Sequence, residues 1–197
     1  MSNVEVFRPW SSYLLAGTVF FLAGGLCIEL ILTASFHDIL GGIAWGIFVS
    51  WGAYLLFIRP KVSVFDEGIT ITNPFVEITV GWHRVEEIDA RYCMSIEVGE
   101  KLIYAWAAPA PSRYHARNIH SSDVRGLKLG DNTLIRPGES PGTHSGAATY
   151  MSRVRLDNFR KTNNTARIDS ALRYNIIGGV ILGSSFAIGA LLLLIHF

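Results

Sequence analysis

The chain has 197 residues, of which 50% are hydrophobic and only 17% are charged, and its formal net charge is +1. Because soluble domains carry about a quarter charged residues, this composition argues against an ordinary soluble protein. A net charge so near zero also argues against nucleic acid as a partner. The two cysteines, Cys27 and Cys93, are far apart and follow no pattern of a disulfide framework, a CxxC redox pair or a zinc site.

Two apolar runs near the N-terminus predict a membrane hairpin after a short polar segment, residues 1–12. The first run, 13–33, holds about 20 apolar residues, enough to cross ~30 Å of hydrocarbon as a helix. It is too long for the apolar core of a signal peptide, and no Ala-x-Ala cleavage site follows. After the connection 34–38, the second run, 39–58, ends at Arg59-Pro60-Lys61, where proline stops a helix and the cations suit the headgroup layer.

A third apolar run, 175–197, predicts a C-terminal transmembrane helix. The short loop 34–38 carries no Lys or Arg, whereas cations flank the second run and precede the third. By the positive-inside rule we expect a multi-pass plasma-membrane protein with residues 60–174 and the N-terminus in the cytoplasm and the C-terminus outside.

Small residues recur every four positions in two of the predicted spans. They are Gly42, Gly46 and Ser50 in the second, and the pairs Gly179 with Gly183 and Ser185 with Gly189 in the third. This spacing lets helix backbones approach closely, so we expect these helices to pack on one another or on partner helices. Glycine is also simply common in membrane helices, which leaves the alternative that the spacing has no specific role.

Glu29 is the single carboxylate inside the first span. Intramembrane carboxylates are often functional, for example in proton relays. However, Glu29 falls near the far end of the helix, where a carboxylate can reach water, and no second carboxylate stands at helical spacing. We therefore expect a polar residue at that membrane face, near His37 and Asp38, and no proton path.

Residues 61–107 alternate apolar and polar side chains, which predicts antiparallel strands with one buried face. Val62 and Val64 precede the turn Asp66-Glu67-Gly68, in which we expect the glycine to adopt positive φ, and Ile69 and Ile71 follow it. Further strands are expected over 75–80, 86–92, 94–98 and 102–107. We predict five to seven antiparallel strands curled into a small sandwich or barrel.

Residues 108–146 form a Pro- and Gly-rich arm that is unusually long for a loop in a compact domain. We hypothesise that it lies along a partner protein or the anionic inner leaflet, the alternative being a solvated loop. The cations available for such contacts are Arg113, Arg117, Arg125, Lys128 and Arg136.

A helix is predicted over 147–161, with Ala147, Met151 and Val154 on its apolar face. Arg160 and Lys161 end it, and a basic linker, 162–174, leads to the third span. Each cation near an anionic membrane surface contributes about 1 kcal/mol, enough to orient a domain. Arg160 and Lys161 are therefore further candidates for partner or lipid contact.

No motif of catalysis occurs in the chain. The histidines lack metal-ligand spacing, and there is no nucleophile elbow, Walker loop or Rossmann glycine pattern. We therefore predict no enzyme activity, no cofactor and no metal.

The order of these parts resembles the actinobacterial membrane proteins with a bacterial PH-like domain. The resemblance covers roughly residues 8–160 and implies a seven-stranded PH-like barrel closed by a C-terminal helix, without catalysis. In size and architecture the chain is also similar to small accessory subunits of the respiratory cytochrome bc–cytochrome oxidase supercomplex. The residues that carry the first resemblance are Arg59-Pro60-Lys61, Val62-Ser-Val-Phe-Asp-Glu-Gly68-Ile-Thr-Ile-Thr-Asn73, Val80-Gly-Trp82 with Val85 and Ile88, Arg136-Pro-Gly-Glu-Ser-Pro141 and Ser145-Gly-Ala-Ala-Thr149.

Three functions are compatible with this sequence. The first is a non-catalytic accessory or scaffolding subunit that binds a larger membrane complex, as part of a hetero-oligomer, through its helices and its cytoplasmic PH-like domain. The second is an anionic-lipid-binding or sensing module, for which Asp66 and Glu67 in the first hairpin are unfavourable. The third is a component of a transporter or enzyme, which would require Glu29.

Overall fold

A computed structural model describes residues 4–111, 142–162 and 165–196. The chain divides into two compact units. The first, here called the β unit, comprises Met1–Pro9 and Pro60–Arg173, and the second, the helical unit, comprises Trp10–Arg59 and Tyr174–Phe197. The chain therefore passes from one unit to the other three times.

The described residues form four α-helices and eight strands. In chain order these are β1 (Glu5–Phe7), α1 (Trp10–Thr33), α2 (Phe36–Ala53), β2 (Lys61–Val64), β3 (Gly68–Thr72), β4 (Val76–Gly81), β5 (Ile88–Asp89), β6 (Cys93–Val98), β7 (Lys101–Pro109), α3 (His144–Lys161), β8 (Ala171–Tyr174) and α4 (Ile176–His196). A π-helical turn, Tyr54–Ile58, continues α2, and a 3-10 turn, Trp82–Arg84, follows β4.

Three helices of the described chain are long and apolar enough to cross a membrane, over Trp10–Thr33, Phe36–Ile58 and Ile176–Ile195. This confirms the three predicted apolar helices. The second begins three residues earlier than expected because the Ser35 side chain accepts a hydrogen bond from the Asp38 backbone N–H, 3.4 Å away, and so caps the helix. His37 and Asp38 consequently belong to the first turn of α2.

The strands of the β unit form two sheets, one of order β1-β2-β3-β4-β8 and one of order β5-β6-β7. The pairs β1–β2, β2–β3, β3–β4, β5–β6 and β6–β7 are all antiparallel, as the alternating pattern predicted. The amide of Asn73 joins the two sheets, since it donates to the carbonyl of Tyr104 and accepts from the backbone N–H of Trp106. It thereby imitates a neighbouring strand at the edge of β7.

One hydrophobic cluster fills the space between the two sheets and α3. Trp82 is its largest fully buried side chain, and its indole N–H donates to the carbonyl of Phe65 at 2.9 Å. The alternation seen in the sequence is realised here, because Val62, Val64 and Ile71 are all completely buried.

Several local expectations differ from the structure. Gly68 does not provide the positive φ; among the described glycines Gly99, in the β6–β7 turn, does, with φ 60°. Gly68 is needed instead for close approach, because a Cβ there would lie 2.5 Å from the carbonyl oxygen of Val80. The strand expected over 86–92 shortens to Ile88–Asp89, where the Asp89 carboxylate accepts from the Ala90 N–H and ends the pairing.

Two segments expected to lie outside the sheet contribute strands to it. Residues 5–7 of the polar N-terminal segment form β1, which pairs with β2 in the register Glu5 to Val64. Residues 171–174 of the expected basic linker form β8 at the opposite edge of the same sheet.

The buried face of α3 differs from the predicted one. Val154 is 40% exposed, whereas Ala148 and Ser152 are fully buried against the sheets. Met151 of the predicted face is half-buried against the core, so the prediction was partly right. Most of the buried residues that it missed are small, because a helix that packs closely on a sheet buries small side chains. The buried residues of α3 are Ser145, Gly146, Ala148, Thr149, Ser152 and Leu156.

Candidate functional site

Aromatic rings and two polar side chains hold α2 to α4 within the helical unit. Trp45 meets Phe186 edge-on at 5.5 Å between ring centroids, and Phe48 lies 5.4 Å from the same ring. Near one end of the interface the Trp51 indole N–H donates to the Gly178 carbonyl at 3.1 Å. Near the other end His37 Nε2 lies 2.9 Å from the carbonyl oxygen of Leu192 and donates to it.

Three of the predicted small residues make close helix contacts inside this unit. A Cβ at Gly42 would collide with Leu30 of α1, and one at Gly46 would lie 2.6 Å from the sulfur of Cys27. A Cβ at Gly189 would lie 3.0 Å from the Trp45 ring. These glycines therefore permit the α1–α2 and α2–α4 contacts. Ser50 is half-buried on α2.

The other two predicted glycines of α4 face open space. A Cβ at Gly179 or Gly183 would have nothing within 4 Å, and the same holds for Gly17, Gly24 and Gly25 of α1. The described helices thus use part of their small residues for contacts among themselves and leave the rest uncovered.

Glu29 is exposed on α1, about one turn before the helix ends. A cavity of about 420 Å³ lies between α1, α2 and α4. His37 and Asp38 form part of its wall, and the glycines at 41, 42 and 189 line it without side chains that would fill it. Glu29 is not among the residues that line this cavity. Of the three polar residues expected at this end of the helices, His37 and Asp38 line the cavity, and Glu29 lies outside it.

The predicted basic contact residues lie in different environments, and only two of them belong to the described part of the chain. Arg160 donates to the backbone carbonyls of Val85 and Glu86, at 3.3 and 3.2 Å, so its guanidinium helps to hold α3 on the β unit. Lys161 is exposed. The remaining five, Arg113, Arg117, Arg125, Lys128 and Arg136, lie outside the described residues.

Arg155, which the sequence did not single out, links three parts of the β unit. Its guanidinium binds the carboxylate of Glu5 in β1 and that of Asp66, at 2.6 Å, in the β2–β3 turn. Its side chain is only 16% exposed. The neighbouring cation of α3, Arg153, donates two hydrogen bonds to the carbonyl of Ile88 in β5. These contacts fasten α3 to β1, to the β2–β3 turn and to β5.

A groove of about 350 Å³ lies on the outer face of the β5-β6-β7 sheet. Its wall on the β7 side is apolar and aromatic, with Tyr104 51% and Leu102 54% exposed. Trp106 continues the same outward row and is 56% exposed. On β6, Cys93 and Ser95 take the corresponding outward positions between this row and β5.

Carboxylates border the opposite side of the groove. Glu87, Asp89 and Glu97 all line it, and Arg91 is the single cation among the described lining residues. Its Nε lies 3.9 Å from the Asp89 carboxylate. Partial burial raises the pKa of the Cys93 thiol above its ordinary value, and a hydrogen bond with the Ala105 backbone offsets part of that effect. The groove therefore presents negative charge and aromatic surface together, with an un-ionised thiol beside them at neutral pH.

The side-chain pattern of β7 is a sequence signal for this groove. Leu102, Tyr104 and Trp106 alternate with Ile103, Ala105 and Ala107 along β7. When large residues occupy one parity and small ones the other, the larger set need not be the buried set, because a tight core can require alanine. Here the alanines at 105 and 107 are buried and the large residues point outward.

Within the described residues, no group of three or more His, Cys, Asp or Glu side chains is arranged to hold a metal ion. The chain as a whole matches no protein-family model, no curated protein and no solved structure.

Proposed function

We propose that this protein is a non-catalytic accessory or scaffolding subunit, held in the plasma membrane by its three apolar helices and bound there to a larger membrane protein complex. The observation that carries the proposal is the open glycine surface of α4 at Gly179 and Gly183. In lipid, helices associate through van der Waals packing, and small residues allow the close backbone approach that this requires. A partner helix is the natural occupant of such a surface.

The β unit supports the same role on the cytoplasmic side. Its strands β1, β2 and β8 adjoin α1, α2 and α4 along the chain, so three chain connections tether the unit. Arg59 and Lys61 favour the cytoplasmic side for these connections under the positive-inside rule. By the resemblance described above, a PH-like protein of a respiratory supercomplex is the first assignment to test.

Anionic-lipid binding has less support as the main function. Arg160 bonds to backbone carbonyls of its own unit, and the first hairpin turn presents Asp66 and Glu67. A PH-like lipid site would need free cations at that turn.

The test is purification of the tagged full-length protein from its native membranes in mild detergent. We expect other membrane subunits to co-purify in fixed ratio, and the paired substitution Gly179→Ile and Gly183→Ile to release them without unfolding the protein, because both positions face open space. Ser184→Ile is the control, since it places an isoleucine about 100° around the same helix, away from the glycine surface. Isolation of the wild-type protein alone, or co-purification unchanged by the glycine substitutions, would contradict the proposal.

A further inference from the structure

We infer that the outer face of the β5-β6-β7 sheet is a docking surface for an extended basic segment of a partner protein. The inference deepens the proposed function and rests on it, since it specifies the chemistry of the contact that the β unit would make. It concerns the β unit alone and uses none of the helix surfaces discussed above.

The first step is that this sheet face lacks a cover in the described structure. Leu102, Tyr104 and Trp106 are each more than half exposed along β7. Tyr92, at the entrance to β6, is 80% exposed and lines the same groove. Contiguous exposed apolar surface of this kind, bordered by polar residues, is typical of protein interaction sites. Tyrosine and tryptophan are also the residues that most often dominate binding energy at such sites.

The second step is the charge of the partner. The three carboxylates Glu87, Asp89 and Glu97 border one side of the groove, and among the described lining residues Arg91 is the only cation. A docked segment with acidic side chains would meet like charges, whereas arginine or lysine would find carboxylates and aromatic rings together. A guanidinium can stack on a tyrosine ring and, at the same time, pair with a carboxylate through its edge. Arginine therefore suits this groove better than lysine.

The third step is the shape of the partner. The outward row of β7 extends over four residue steps from Leu102 to Trp106, which is about 13 Å at ~3.3 Å per residue. Cys93 and Ser95 are small side chains that line the middle of the groove on β6, so they leave room along the strand direction for one extended segment. A stretch of about four or five extended residues, with alternate side chains directed at the groove, matches this length.

The chemistry of the surface can be tested with a peptide probe on the full-length protein in detergent. A fluorescent peptide of alternating Arg and Leu should bind, and the corresponding Glu–Leu peptide should not. Asp89→Asn combined with Glu97→Gln should weaken binding about tenfold, because two charge contacts are lost. Glu100→Gln is the matched control: it removes one carboxylate in the β6–β7 turn, away from the groove lining. Equal binding of both peptides, or equal binding by both charge variants, would overturn the inference.

The identity of the occupant is tested in native membranes with a photo-crosslinking phenylalanine derivative at position 104. The expected adduct is with an Arg- or Lys-containing segment of a co-purifying protein, and it should disappear in the Asp89→Asn, Glu97→Gln background. The control places the same crosslinker at Tyr150, an exposed position on α3. Adducts only with residues 112–141 of the same chain, with a second copy, or with lipid would overturn the inference.

The two proposals fail in different ways. If the complex co-purifies but position 104 does not crosslink to a basic segment of it, the docking inference is wrong and the accessory role stands. If nothing co-purifies from native membranes, the accessory role is wrong and the occupant named here has no source.

Discussion

Arg155 offers the most direct test of how the N-terminal strand is held. The change is Arg155→Met, which keeps an unbranched apolar side chain while removing the guanidinium that binds Glu5 and Asp66. Glu5 and Asp66 are 47% and 45% exposed, so water screens both pairs strongly. Exposed ion pairs contribute about 0.5–1 kcal/mol each, and we assign that value to the contact with Glu5.

The expected effect is local to β1. This strand has three residues and one neighbouring strand, β2, so it opens without the rest of the sheet. Loss of about 0.5–1 kcal/mol raises the population of the open form, and hence the amide exchange rate of residues 5–7, about two- to fivefold. Hydrogen–deuterium exchange of the full-length protein in detergent, read by mass spectrometry, measures this directly.

Arg153→Met is the matched control. It removes a guanidinium from the same helix, but that group bonds to Ile88 of β5 and not to β1. We expect faster exchange around β5 and unchanged exchange in residues 5–7. Equal exchange of β1 in wild type and Arg155→Met would refute the view that Arg155 fastens the N-terminal strand.

Three further predictions concern packing and ionisation. Gly46→Val should destabilise the protein by about 1–3 kcal/mol, because the new side chain overpacks against Cys27, and should therefore lower the denaturation midpoint in detergent. Gly183→Val should leave the midpoint nearly unchanged, because that position faces open space. Similar losses at both positions would contradict this interpretation. Thr149→Val should leave the free energy of unfolding unchanged or raise it, because the buried Thr149 hydroxyl has no hydrogen-bond partner in the described structure. Ser152→Ala should lower it by about 0.5–1.5 kcal/mol, because it removes a hydrogen bond to the Ala148 carbonyl. Denaturant titration compares the two variants, and a destabilised Thr149→Val would show that the hydroxyl is hydrogen-bonded. In a Cys27→Ser background, alkylation of Cys93 should reach its half-maximal rate at a higher pH than alkylation of a cysteine in a short unstructured peptide, because a raised pKa leaves less thiolate at any given pH. Equal midpoints, or a lower one for Cys93, would disprove the effect of burial.

Part of the architecture follows from sequence alone. Three apolar runs of about 20 residues are each long enough to cross a membrane as a helix, so the three long helices follow from composition and length. The strands β2 and β3 follow in the same way from alternation at Val62, Val64, Ile69 and Ile71, because period 2 specifies both the strand and the face that carries its apolar residues.

Tertiary structure decided the features that depend on a distant partner. Residues 5–7 carry too short a pattern to predict a strand, and they form one because β2 supplies the hydrogen bonds and Arg155, 150 residues away in sequence, supplies the charge. The glycines show the same dependence: equal spacing places Gly46 against Cys27 and leaves Gly183 open, since spacing defines a helix face but not what that face meets. The outward aromatic row of β7 likewise became visible only when the buried alanines showed which side of the strand faces the core.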